Sequence, residues 1–432
     1  MIKTRDVYIL FVLAVSFVVL AFFIKSTPSS TLERTQSSTL VGESTIQFDE
    51  IQRIELLRSG EFFAFEKNDG VWVQQSPFSM MMDPVSMSAL IETVQSVRKL
   101  GTLVEDTSPE MLGLGDGANS IALADGKTKI KITLGRKTLG GRAYAQLNDE
   151  EVAIIDHSLH RSAIEMEHRL WRDIRLFPHF AIDGMEINRI IADDSMHLDR
   201  HDGHWKMNKP VSTRVNHELF TEWVGRLAAA RVGSYIIDEP DDYMVFGLDM
   251  PSATFTTIDR SGNTRSLLIG SRVSAGTQDR YAMVEGQPVV FRMTWDALSE
   301  LFPRAEIFVN ETGSSSSVFD VKQIIIRSSG TERTFTRNLE RWVDENGVQA
   351  DNNHIEGLLR WLLEDKPTSV AIAEYPRDAE RAAVTLVGYD LLPLDTVRIA
   401  LDDSGLWILE NGDNVLRIHP AESGVVLEPF GR

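Results

Sequence analysis

Three tryptophans set the frame of this chain. Trp72, Trp205 and Trp342 recur at intervals of about 135 residues, and self-similarity at a fixed period marks a repeat architecture. Two short apolar runs precede each one: residues 54–57 and 62–65, then 187–191 and 196–198, then 324–326 with Phe335. The turns between the runs carry Ser59-Gly60, Asp193-Asp194 and Ser329-Gly330. Each repeat is therefore expected to open as a small antiparallel meander whose third strand holds the tryptophan.

A helix is expected after each tryptophan. In the first repeat Asp83 suits the N-cap and Pro84 the first helical position, with Val85, Leu90, Val94 and Val97 along one face. In the second, Thr213 caps and Val215, Leu219, Trp223 and Leu227 recur at helical spacing. In the third, Ile355, Leu358, Leu359 and Leu362 do the same. A strand follows each helix, at residues 103–104, 235–237 and 370–372.

Next come a Gly-Leu turn and a second hairpin. The turns are Leu112-Gly113-Leu114, Phe246-Gly247-Leu248 and, in the third repeat, Tyr389-Asp390-Leu391; the hairpins turn at Asp125-Gly126, Ser261-Gly262 and Ser404-Gly405. The first two repeats go on through Gly135 to Tyr144-Ala145 and through Gly270 to Tyr281-Ala282, each ending in a helical stretch. The third lacks this part and reads as a shortened terminal copy.

Residues 7–24, VYILFVLAVSFVVLAFFI, carry no charge and as a helix would span roughly 27 Å, close to the hydrocarbon thickness of a bilayer. Lys3 and Arg5 precede the run, and little positive charge follows it, so the N-terminus is expected in the cytoplasm and the bulk outside it, in the periplasm or extracellular space. No small-residue cleavage site follows the run, which favours an uncleaved anchor in the inner (cytoplasmic) membrane. The expected organisation is a cytoplasmic tip and anchor over 1–25, a flexible tether over 26–44, and repeats over 45–180, 181–312 and 317–432. The expected fold class is α+β: an N-terminal transmembrane helix, then three units of small antiparallel sheet plus packed helix.

The order of these landmarks resembles the family numbered 4340 among the domains of unknown function. The features that carry the resemblance are the membrane helix, Gly70-Val71-Trp72, Pro77 with Asp83, Phe246-Gly247-Leu248 with Pro251, and Ile269-Gly270 with Tyr281-Ala282. It spans nearly the whole chain beyond residue 45 and is strongest in the first two repeats. It implies an extracytoplasmic accessory role beside ABC-transporter components of the gliding type, and it brings no catalytic residues with it.

Composition and motifs narrow the chemistry. The net charge of −19 repels phosphate backbones, so nucleic acid is not an expected partner. The absence of cysteine removes disulfides, thiolate nucleophiles and Cys zinc sites. No Walker loop, no strand-coupled G-x-G-x-x-G, no H-E-x-x-H pair and no G-x-S-x-G elbow is present. Residues 113–117 are glycine-rich but lack a following helix and read as a turn.

Two histidine groups stand out: His157, His160 and His168, and His197, His201 and His204. The second lies on a strand-turn-strand pattern that sends the imidazoles apart, so both read as solvated. The acidic pairs Asp193-Asp194, Asp241-Asp242 and Asp402-Asp403 fit turn chemistry. The repeated tryptophans read as core, and Met80-Met81-Met82 as a loop that either faces a partner or packs beneath it.

The functional expectation is a non-enzymatic, membrane-anchored scaffold or binding subunit without a cofactor. It would contact lipid through residues 7–24 and protein partners through its repeats. The alternative is a small-molecule or glycan-binding protein using a cleft between repeats. The landmarks Trp72, Trp205, Trp342, Gly113, Gly247, Gly135, Gly270, Tyr144 and Tyr281 are assigned structural roles.

Overall fold

The computed structural model describes residues 38–103, 107–177 and 182–430. The expected anchor at 7–24 lies outside the described residues. Among the described residues no helix is long and apolar enough to cross a membrane.

The first sheet has nine strands: β1 (Arg53–Arg58), β2 (Glu61–Asn68), β3 (Val71–Ser76), β4 (Met80–Met81), β5 (Lys99–Thr102), β6 (Asn119–Ala124), β7 (Lys129–Thr138), β8 (Arg142–Leu147) and β9 (Val152–Asp156). Their order across the sheet is β4-β3-β2-β1-β6-β7-β8-β9-β5. The opening meander and the closing hairpins are thus one sheet, because β1 uses its second edge to pair antiparallel with β6, Leu56 opposite Ile121.

The helix Pro84–Ser96 links the two outermost strands. Nine flat strands would be roughly 38 Å wide, whereas this helix is about 20 Å long, so the sheet curls around it. Ile54, Phe65, Ile132, Ala145 and Ile155 from both halves accordingly join Met87, Leu90 and Val94 of the helix in one core. Burying each large side chain of this kind contributes about 2 kcal/mol. Leu40, Val41 and Ile46 belong to the same core, so the chain between 38 and 46 packs onto the sheet where a tether was expected to run to residue 44.

The second sheet repeats the order with β10 (Gly184–Arg189), β11 (Asp194–His201), β12 (His204–Lys209), β13 (Thr213–Arg214), β14 (Ser234–Asp238), β15 (Ala253–Ile258), β16 (Thr264–Arg272), β17 (Arg280–Val284) and β18 (Val289–Met293). The third has eight strands: β19 (Gln323–Ser328), β20 (Thr331–Asn338), β21 (Arg341–Asp344), β22 (Ser369–Ile372), β23 (Glu380–Val387), β24 (Pro393–Leu401), β25 (Trp407–Glu410) and β26 (Val415–His419). Their order, β21-β20-β19-β23-β24-β25-β26-β22, omits only the two-residue edge strand.

The expected fold class needs correction. Among the described residues strand holds 43% and helix 22%, and the units are large curled sheets, each wrapped on the helix that follows its tryptophan, rather than small sheets with packed helices. The physical reason is the β1–β6 type of pairing, also made by β10 with β15 and β19 with β23, which fuses two predicted hairpin systems into one sheet. The third repeat also differs from the reading of it. β25 stands where β8 and β17 stand, so the strand persists without its Tyr-Ala signature. Tyr389-Asp390-Leu391 is the hairpin between β23 and β24, and residues 373–379 occupy the place of the Gly-Leu turn.

Asp83 caps the first helix, accepting the Ser86 N–H at 2.9 Å. The second helix, His217–Ala228, is capped by Asn216 rather than Thr213. That start puts Phe220, Trp223 and Leu227 inside and leaves Leu219 exposed. The third, Asn352–Leu363, is capped by Asp351 and buries Ile355, Leu358, Leu359 and Leu362 as expected.

The chain divides into two compact units at Arg172/Asp173. The second holds both later sheets: Val415 of β26 lies in the core of the second sheet, with Val370 and Ile372 of β22 packed against it. Arg417, 1% exposed, holds the joint. It donates to Asp413 Oδ2 at 2.9 Å and to the Asn310 carbonyl at 3.1 Å, and Thr213 Oγ1 donates to Asp413 at 2.8 Å.

A cleft at the second tryptophan

The glycine landmarks sit where the backbone leaves no room for a side chain or takes a positive φ. Gly113 and Gly247 have φ of +76° and +65°, and each ends a turn that lays a carbonyl on the next landmark. A Cβ on Gly135 would sit 2.5 Å from the Leu112 oxygen, and one on Gly270 would sit 2.1 Å from that of Phe246. Tyr281 packs on Phe246 at 5.0 Å, and Tyr144 is half-buried at the matching place in β8.

The tryptophans divide. Trp72 is 3% exposed and Trp342 1%, so both are core. Each is covered by its cross-strand neighbour, Lys67 over Trp72 at 6.0 Å and Arg337 over Trp342 at 4.8 Å. Trp205 also faces a cation in register, Arg200, but Arg200 donates Nε to the Gly203 carbonyl at 3.3 Å. Among the described residues no cation lies over Trp205. Its ring rests on Phe220 at 4.9 Å and is only partly buried.

The uncovered ring opens on a cleft of about 420 Å³. His201 and His204 face each other across the Asp202-Gly203 turn, whose two positive φ values suit a tight hairpin. Lys206 pairs directly with Arg214 of β13, and His217 opens the helix beside them. Two cations opposite each other repel. Neither Lys206 nor Arg214 has a carboxylate within ion-pair distance among the described residues, in a chain of net charge −19. Asn310, held by the Arg417 joint, completes the wall, and Lys206 and Arg214 also line a polar cavity of about 290 Å³ that runs to Asp395 and Asp413 of the third sheet. The arrangement suits a ligand with negative charge and a flat or apolar face.

The other sequence candidates have separate duties. His157 Nδ1 meets the Gly141 carbonyl at 2.8 Å, His160 Nε2 meets the Gly135 carbonyl at 2.8 Å, and His168 stacks on Phe63 at 5.0 Å. Burial pushes the His160 imidazole below its usual pKa, which keeps it neutral with Nε2 as donor. Of the second group, His201 and His204 share the cleft and His197 does not. Among the described residues no three His, Asp or Glu side chains form a metal-holding group. Met80 and Met82 are buried, so the methionine run packs beneath its loop. Asp242 accepts the Met244 N–H and Asp402 those of Ser404 and Leu406, which is turn chemistry, whereas Asp194 pairs with Arg189. Lys206, Arg214 and His217 carried no sequence signal, because only the strand register shows that they converge.

Residues 205–384 match the model of the family described as Domain of unknown function (DUF4340), the family whose resemblance was read from the landmarks. No curated protein matches the chain. A solved structure titled "Crystal structure of BBS1N in complex with ARL6DN, soaked with lead" aligns with 86% of this chain and 81% of its own at 10% identity, with a TM-score of 0.09 that carries no argument about fold.

Proposed function

We propose that this protein is a membrane-tethered binding subunit, acting outside the cytoplasm, whose recognition site is the Trp205 cleft. The observation that supports this most is a departure from repetition. The tryptophan that two copies bury under a cation is left open in the second, next to two cations that form no ion pair among the described residues. The mechanism is positional: residues 7–24 hold the chain at the bilayer, and the cleft takes an acidic segment of a membrane partner, in keeping with an accessory role beside an ABC-type transporter. No catalytic step is assigned to it.

A second reading, an acidic glycan as ligand, is favoured by one feature: an open indole face beside cations also suits a sugar ring bearing a carboxylate. The test is in-cell crosslinking followed by mild-detergent purification of the tagged full-length chain. A stoichiometric membrane complex that disappears in Lys206→Glu/Arg214→Glu supports the subunit reading. Recovery of the chain alone, with saturable binding of uronic-acid oligomers, supports the glycan reading. Recovery alone with no such binding rejects the cleft as a recognition site.

A further inference from the structure

A different cleft in the second copy carries its own argument, independent of the Trp205 site. It lies beside Ile269 and the Arg280 side chain that meets the Gly270 carbonyl, and holds about 550 Å³, within the range of small-ligand pockets. Its walls are apolar: Ile191, Ala253, Ile269, Trp295, Leu298 and Phe302. Trp295 is 52% exposed and Ile191 79%, so two large apolar side chains stand open to water at its mouth.

Three arginines border this apolar space. Arg189 is neutralised by Asp194 and by the carbonyls of Phe302 and Pro303 at 3.0 and 2.8 Å. Arg280 is not neutralised. Its Nη1 donates to the Gly270 carbonyl at 2.9 Å and to Ser252 Oγ at 3.2 Å, both uncharged, and no acid pairs with it among the described residues. Burial, and then the neighbouring Arg272, work against its charge. Arg304 stands exposed at the rim, also without an acid among the described residues. A half-buried guanidinium facing an apolar cleft without a counter-ion is costly unless an anion enters.

The first copy shows the same place closed. There the matching carbonyl, Gly135, is capped by His160, which is 4% exposed, and Ala143 stands at the register position of Arg280. The second copy has lost the plug and gained a cation with spare donors.

We propose that this cleft binds a single-chain amphiphile with a carboxylate head, of the fatty-acid type. The head pairs with Arg280 and Arg304, and the chain lies along Ile191, Trp295, Leu298 and Phe302. The probe is 8-bromooctanoate, whose bromine quenches tryptophan on contact. It is titrated against the full chain in phosphatidylcholine nanodiscs, with empty nanodiscs and 8-bromooctan-1-ol as references. The expected result is saturable quenching that the alcohol does not give, that disappears in Trp295→Phe, and that needs about tenfold more ligand in Arg280→Gln, which keeps a donor for the Gly270 carbonyl but loses the charge. If Arg280→Gln does not melt like the wild type, Arg304→Glu on the exposed rim decides by the same criterion. Quenching that does not saturate, that the alcohol matches, or that ignores the arginine substitution overturns the proposal.

Discussion

The first and second sheets share strand order, helix placement and glycine landmarks, yet they treat their weak points in opposite ways. In the first, Lys67 covers Trp72 and His160 caps the Gly135 carbonyl. In the second, Arg200 turns to Gly203, and the Gly270 carbonyl is met by a cation that has donors left over. The same backbone is therefore closed at these two positions in one copy and open at both in the other. Repetition supplies the scaffold, and a few side chains at equivalent positions decide whether a site opens. Fold likeness alone thus says little about which copy binds.

Substitutions that separate covered from uncovered positions probe this contrast most strongly. Trp342→Ala, at a covered position, is expected to destabilise the second unit by about 3–5 kcal/mol in urea denaturation. Asp413→Ala strips Arg417 of its charge partner in the joint between the second and third sheets and is expected to cost about 3 kcal/mol. Trp205→Ala is expected to cost only about 1.5 kcal/mol, because its ring is half-buried, while removing partner recovery. An equal cost at Trp205 and Trp342 would contradict the contrast. Where the copies agree, the costs should agree: Asp83→Ala and Asn216→Ala each remove an N-cap worth about 1 kcal/mol.

The smallest effect is pH-dependent. The pKa of His160 is lowered in the folded state, so the folded protein binds fewer protons than the unfolded chain between the lowered value and the ordinary one near 6.5. Its contribution is complete above that ordinary value and is lost as pH falls through the folded-state pKa. The protection of first-unit amides, corrected for the intrinsic pH dependence of exchange, should therefore fall on acidification below about pH 6.5, less so in His160→Gln.

Much of the scaffold was legible because it rests on local chemistry. Asp83-Pro84, the Ser-Gly and Asp-Gly turns, and the paired landmarks Gly113 with Gly135 and Gly247 with Gly270 are each dictated by backbone geometry within a few residues or one strand pair. The fusion of each meander with its second hairpin was not legible, since the pairing of β1 with β6 joins segments separated by a helix and an edge strand. Thr213 as a cap failed because its hydroxyl serves a residue in the third sheet, Asp413, instead of the nearby helix. The site was the least legible. Lys206 and Arg214 look like ordinary surface charges until the register places them opposite each other, and Trp205 looks like its two counterparts until Arg200 is seen to turn aside.

Placing a photocrosslinking amino acid at Arg214 in living cells, and in parallel at Met81, its counterpart on the matching edge strand of the first sheet, tests the central claim most directly. The account expects a discrete adduct from position 214 that vanishes with Trp205→Ala, and none from position 81. The same adducts from both positions, or an adduct at 214 that persists without the indole, would contradict it.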